Sequence, residues 1–194
     1  MRIIDLLSNE EKKKCSSINL KRGQILFHEE EECKYVSLVN KGSIQIVSYT
    51  LSGTEIIYNQ INENGLFGNN LLFSDHPYYK GNVVAKDDSE ILLISKANLL
   101  TIFKNNGKFL EYYLSYQANF SKKLNGTIKL LSISSAEERF LYFLKENEPL
   151  RYKSITSLAE SLFLTRETCS RLISRLSKEK KIIVKGKIIS LPHQ

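Results

Sequence analysis

The stretch LAESLFLTRETCSRLISRLSKEKK, residues 158–181, gathers side chains that hydrogen-bond to base edges and phosphates. Its heptapeptide TRETCSR holds Thr165, Arg166, Glu167, Ser170 and Arg171. A guanidinium can bond O6 and N7 of one guanine together, and a carboxylate can accept from the N4 amino group of cytosine. Phosphates repel a carboxylate, so Glu167 among the arginines points to base reading rather than to charge attraction alone. Thr165 and Thr168, with Lys178, Lys180, Lys181, Lys185 and Lys187, are the matching phosphate contacts, which position a protein on the duplex without specifying sequence.

Two short helices must position these groups. Leu158, Leu162, Cys169, Leu172, Ile173 and Leu176 fall on the inner faces, with the small Ala159 where the helices cross. Positions 167, 170, 171 and 174 then share the outer side of a 3.6-residue helix. In a helix-turn-helix the first helix braces the second, whose N-terminal half enters the major groove. Thr156 and Thr165 are placed as N-caps of the two helices. An amphipathic segment, 136–145, precedes them and stops near Glu148-Pro149. The closing KKIIVKGKIISL reads as a hairpin around Gly186. The order helix, helix, short turn, helix, hairpin predicts a winged helix-turn-helix over residues 134–194.

Residues 20–95 have another texture. QILF, YVSLV, SIQIVSY, EIIYNQI, NVVA and EILLI are short β-branched and aromatic runs, separated by KG, LSG, NENG and DDS turn signals. They predict an antiparallel jelly roll (a β-roll) over residues 1–108, preceded by a short helix at 2–14. Between the two parts, Tyr113, Tyr116, Phe120, Leu124, Ile128 and Leu131 recur at three- and four-residue steps, interrupted only by Gly126. This predicts a long helix over 109–133 that serves as a dimer seam, with a core helix as the rival. The expected class is α+β: β-roll, dimerisation helix, winged helix-turn-helix.

Charge separates the same parts. Of 28 Lys+Arg and 21 Asp+Glu, residues 1–120 carry a net −1 and residues 121–194 a net +8. A basic module on a near-neutral remainder points to a polyanion. No apolar run spans a bilayer, and MRIIDLLSNEEKKKC has no secretory core, so a cytoplasmic protein is expected. Cys15, Cys33 and Cys169 fit free thiols in a reducing compartment.

TRETCSR is similar to the recognition-helix motif of the Crp/Fnr family of bacterial transcription regulators. Arg166, Glu167 and Arg171 match the base-reading positions of one branch of the family, and Glu167, Ser170 and Arg171 those of another. IVKGKIISL resembles the wing, and LVNKGSIQIVSYTLSGTEIIYNQINENGLFGNNLLF, residues 38–73, resembles the effector-domain β-roll. The resemblance implies a homodimer on a palindromic double-stranded DNA operator. Arg171 would take the guanine of a TGA core and Glu167 the complementary cytosine. RNA polymerase is then a candidate partner. Phe163 stands at the turn position where the family often has glycine.

The family's cyclic-nucleotide pocket uses a glutamate for the ribose and an arginine–serine pair for the phosphate. These fall on Asn69, beside Gly68, and on Tyr79 and Lys80. Tyrosine cannot grip a phosphate bidentately and lysine is only a point charge, so the pocket is degenerate and cAMP is not the expected ligand. Two cysteines in this domain, Cys15 and Cys33, fall short of an iron–sulfur ligand set. His28 and His76 leave a haem reading open. No cofactor is expected; either an unnamed small-molecule effector binds the β-roll or the protein acts without one. The rival from another class is a cupin-like β-barrel metalloenzyme with an accessory helical domain, which needs a histidine cluster. The histidines are His28, His76 and His193, with no HxH. A basic module for RNA or a membrane would want interleaved aromatics or an apolar-anchored basic helix, and has neither.

Overall fold

The computed structural model describes residues 2–192, apart from the side chain of Tyr58. It divides into two compact units, Met1–Asn119 and Phe120–Gln194.

The first unit opens with a 3-10 turn, Ile3–Leu6, and a short helix α1, Asn9–Lys13. The single helix expected over 2–14 is thus two pieces. Ser8 divides them, because its hydroxyl accepts from the Glu11 amide while the Glu11 carboxylate accepts from the Ser8 amide. Eight strands follow: β1 Ser16–Leu20, β2 Ile25–Phe27, β3 Tyr35–Lys41, β4 Ser43–Tyr49, β5 Glu55–Asn62, β6 Leu66–Phe67, β7 Asn82–Ala85 and β8 Ser89–Ser95. They form two antiparallel four-stranded sheets, ordered β1-β8-β3-β6 and β2-β7-β4-β5. All six sequence-predicted strands are present, and β1 and β6 are additional. Val36, Leu38, Ile44, Val83, Ile91 and Ile94 lie in the common core, so the jelly-roll expectation holds. The β3–β4 turn needs glycine: Gly42 has φ +84°, and a Cβ there would stand 2.5 Å from the Asp88 carbonyl oxygen.

Helix α2, Lys96–Asn105, leads to the long α3, Gly107–Ser132. The apolar period predicted α3 to within two residues, and it runs unbroken through Gly126. Its first half belongs to the first unit, where Phe109 and Tyr113 enter the β-roll core.

The second unit takes the rest of α3 and then α4 Ala136–Glu146, β9 Leu150–Arg151, α5 Ile155–Ser161, α6 Arg166–Lys178, β10 Ile183–Lys185 and β11 Ile188–Ser190. Its sheet is antiparallel in the order β10-β11-β9, so a third strand joins the expected hairpin. Phe140, Leu144, Leu158, Leu162, Leu172, Leu176 and Ile189 form its core. The cap of α5 is Ser154, not Thr156: the Ser154 hydroxyl accepts from the Ser157 amide, and the Ser157 hydroxyl accepts from the Ser154 amide. That shift puts Leu158 and Ala159 on the buried face and leaves Thr156 exposed.

Candidate nucleic-acid interface

Thr165 starts α6 as expected. Its Oγ1 accepts from the Thr168 amide at 3.2 Å and lies 2.9 Å from the Thr168 hydroxyl. Cys169, Leu172, Ile173 and Leu176 are buried against α5, which fixes the rotation of α6 about its axis. Arg166, Glu167, Ser170, Arg171, Ser174 and Lys178 are consequently all exposed on the other side. Glu167 also sits in the first helical turn, where the helix dipole favours a carboxylate.

The cations near α6 fall into two groups. Among the described residues Arg166, Arg171, Lys178, Lys185 and Lys187 make no ion pair, whereas Arg175 and Lys181 are both bonded to Glu137, at 2.7 and 2.8 Å. Glu179 also bonds Lys181, at 2.9 Å. The hydrogen bond from Lys181 is the main cause holding the Glu137 carboxyl below the usual carboxylate range. Lys181, expected among the free phosphate contacts, is therefore already engaged.

Two supporting residues gave no sequence signal. Arg139 donates through Nε and Nη2 to the Ile133 carbonyl at 3.1 and 2.7 Å, and through Nη1 to the Leu162 carbonyl at 3.2 Å. It thereby satisfies acceptors just beyond the ends of α3 and α5, where a cation is also favoured by the dipole. Tyr152 braces the β10–β11 turn: its amide donates to the Lys187 carbonyl and its hydroxyl to that of Gly186, at 3.2 and 3.4 Å. The turn between α5 and α6 keeps the left-handed backbone that glycine would supply, with Phe163 at φ 54°. Leu162 is buried there, while the Phe163 ring is 49% exposed.

Of the residues expected to line a degenerate effector pocket, three are buried and one is exposed. Asn69 is buried, and its side chain and carbonyl both bond Gln117 of α3, while the carbonyl also accepts from Tyr113 Oη at 3.2 Å. Tyr79 is buried too, its ring stacked on Phe27 at 4.8 Å. Burial, with the Cys33 thiol second, raises the Tyr79 phenol above its ordinary range. Gly68, at φ +73°, lies against the Tyr35 carbonyl oxygen, 2.5 Å from where a Cβ would sit. Only Lys80 is outside, ion-paired with Glu30 at 3.4 Å. Three of the four are thus interior packing.

The predicted seam divides as well. Tyr113 is buried, and the Tyr116 hydroxyl donates to the Leu66 carbonyl and accepts from the Leu66 amide, both at 3.1 Å, so both tyrosines serve their own β-roll. Phe120, Leu124, Ile128 and Leu131 remain exposed on the second half of α3.

His28 and His76 are exposed, His193 lies outside the described residues, and no three His, Cys, Asp or Glu side chains converge among the described residues. Among the described residues no helix is long and apolar enough to cross a membrane.

Residues 17–106, which hold most of the β-roll, match the family model of the cyclic nucleotide-binding domain. Over 203 residues the chain is 22% identical to the anaerobic regulatory protein of Bacillus subtilis, covering 95% of this chain and 85% of that one. Among solved structures, a CooA variant from Carboxydothermus hydrogenoformans matches with a TM-score of 0.67 and 18% identity, over 98% of this chain and 91% of that one. The catabolite activator protein of Thermus thermophilus matches with a TM-score of 0.57 and 20% identity, over 98% and 93%. The likeness runs through both units, and this chain has the fold of those proteins. The resemblance to Crp/Fnr regulators expected from the sequence is thereby supported, and the metalloenzyme alternative is not favoured.

Proposed function

We propose that the protein is a Crp/Fnr-type transcription regulator that binds a palindromic operator as a homodimer. In this reading the second unit is a winged helix-turn-helix, α6 is its recognition helix and the β10–β11 hairpin its wing. One observation carries it: Arg166, Glu167, Ser170 and Arg171 stand together on the exposed face of α6, without ion-pair partners among the described residues, while the neighbouring Arg175 and Lys181 are neutralised. Arg171 and Glu167 read a guanine–cytosine pair; Thr165, Thr168, Lys178, Lys185 and Lys187 hold phosphates. Two-fold symmetry sets the half-sites about 10–10.5 base pairs apart, or a multiple of one turn. cAMP is not the effector, because Asn69 and Tyr79 are committed to the interior and Lys80 alone does not make a phosphate clamp.

The test is fluorescence anisotropy of the ligand-free protein, titrated against a TGA-core palindrome and a scrambled duplex over a salt series. Tighter binding to the palindrome supports base reading; equal binding to both counts against it. Arg171→Ala is expected to cost about 1–3 kcal/mol on the palindrome and to relax preference at one base pair. Lys187→Ala is expected to weaken both duplexes alike and to lower the salt slope by about 1. Equal losses on both duplexes for Arg171→Ala would make that residue a phosphate contact only.

A further inference from the structure

Glu137 occupies the first turn of α4 and bridges two cations with its two oxygens, Oε2 to Arg175 Nη2 at 2.7 Å and Oε1 to Lys181 Nζ at 2.8 Å. Glu179 closes the ring, with Oε2 at 2.9 Å from Lys181 and Oε1 at 4.0 Å from Arg175 Nε. Two acids and two bases form a neutral quartet beside the exposed face of α6. Its position matters. Arg175 lies one helical turn beyond Arg171, and both line a groove with Thr168 that Ser135 and Glu137 close on the α4 side. A phosphate approaching this groove meets the Arg171 guanidinium and the Thr168 hydroxyl. It also meets a carboxylate that already holds Arg175.

We propose that Glu137 is an electrostatic clamp that withholds Arg175 and Lys181 from the DNA backbone and so limits how strongly the protein binds duplexes of any sequence. The inference rests on the DNA-binding reading of α6. A single surface ion pair contributes little to stability and a network of several contributes more, so unfolding is read alongside binding. The quartet matters for binding, because each cation that neutralises a phosphate releases counterions and steepens the salt dependence. Withholding two such contacts leaves recognition to the unpaired Arg166, Glu167, Ser170 and Arg171.

Glu137→Gln tests this in the full chain, since the amide keeps the shape and loses the charge. Glu179 still bonds Lys181 in that variant, so one cation, Arg175, is released; it adds about 0.9 to the salt slope and makes the loss of affinity between about 50 and about 200 mM salt roughly three- to fourfold larger, on palindrome and scrambled duplex alike. Glu137→Gln combined with Arg175→Ala is expected to return most of that change. Thermal unfolding of each variant is measured alongside. A Glu137→Gln protein with the wild-type slope and wild-type affinity for the scrambled duplex overturns the clamp, whether or not its unfolding temperature moves. The wild-type comparison separates the two readings: preference for the palindrome reports on base reading, and the Glu137→Gln slope on the clamp. A wild-type protein that binds neither duplex removes both.

Discussion

In the proposed homodimer, Leu124→Glu combined with Ile128→Glu is expected to separate the protomers and to lower affinity for a full palindrome by about 10²–10⁴, the range that linking two binding events supplies. The two side chains are 50% and 54% exposed, one turn apart on α3, with Phe120 and Leu131 exposed on either side of them. A row of this kind can drive association, because each fully buried Leu or Ile side chain contributes about 1.5–3 kcal/mol. A two-fold interface presents every residue twice, so the double substitution places four carboxylates on one seam. Glutamate is a good helix former, so α3 itself is expected to survive. Light scattering reads the mass, and anisotropy reads binding to the palindrome and to a single half-site. A variant that stays dimeric with unchanged operator affinity would mean that this face is ordinary surface. The half-site affinity should be close to wild type, since nothing on α6 has been altered.

The same helix indicates how much the sequence carried. A repeating apolar period over six turns leaves no doubt about helix, and its ends were legible to within two residues. What each half of the helix packs against was not legible, because Tyr113 and Tyr116 share the period of Leu124 and Ile128. Contacts distant in sequence decide it: the Leu66 backbone and the Asn69 carbonyl bond the two tyrosines and leave the later residues bare. The strands divide in a similar way. Six runs of β-branched residues declared themselves, but β6 and β9 have two residues each, too few for any alternation. Those two strands exist through their partners, Ser37–Leu38 for β6 and Ile188–Ile189 for β9.

On the candidate interface, chemistry and period together were sufficient for α6: the buried stripe fixed which residues face outward, and the Thr165 cap fixed where the helix starts. For α5 the sequence placed the cap on Thr156, two residues past the actual cap at Ser154, because the burial of Leu158 and Ala159 that sets the helix start is a tertiary contact. Arg139 and Glu137 were invisible, since their partners lie 6 to 44 positions away and an isolated Arg or Glu carries no period. The effector region shows the opposite limit. Position-by-position carry-over identified the residue types at Asn69 and Tyr79, but only packing places them in the interior.

Phe140→Ala is expected to cost about 3–5 kcal/mol and to weaken specific DNA binding through loss of folded structure alone. Phe140 is fully buried in a core of twelve residues, which serves a unit of only 75. A domain of that size has about 4–11 kcal/mol of stability in total, so removing one large ring takes a substantial share of it. The dependence of binding on this core is geometric. Arg171 and Glu167 face outward only because Cys169, Leu172, Ile173 and Leu176 have something to pack against. Urea denaturation followed by circular dichroism measures the stability, with Phe140→Leu as the partner variant; that smaller change of shape is expected to cost under about 1.5 kcal/mol and to keep operator binding. If Phe140→Ala unfolds at the wild-type urea concentration, α4 is not part of the core that orients α6. If it loses stability and yet keeps full operator preference, the reading face of α6 is set by α5 alone, and α4 contributes nothing to recognition.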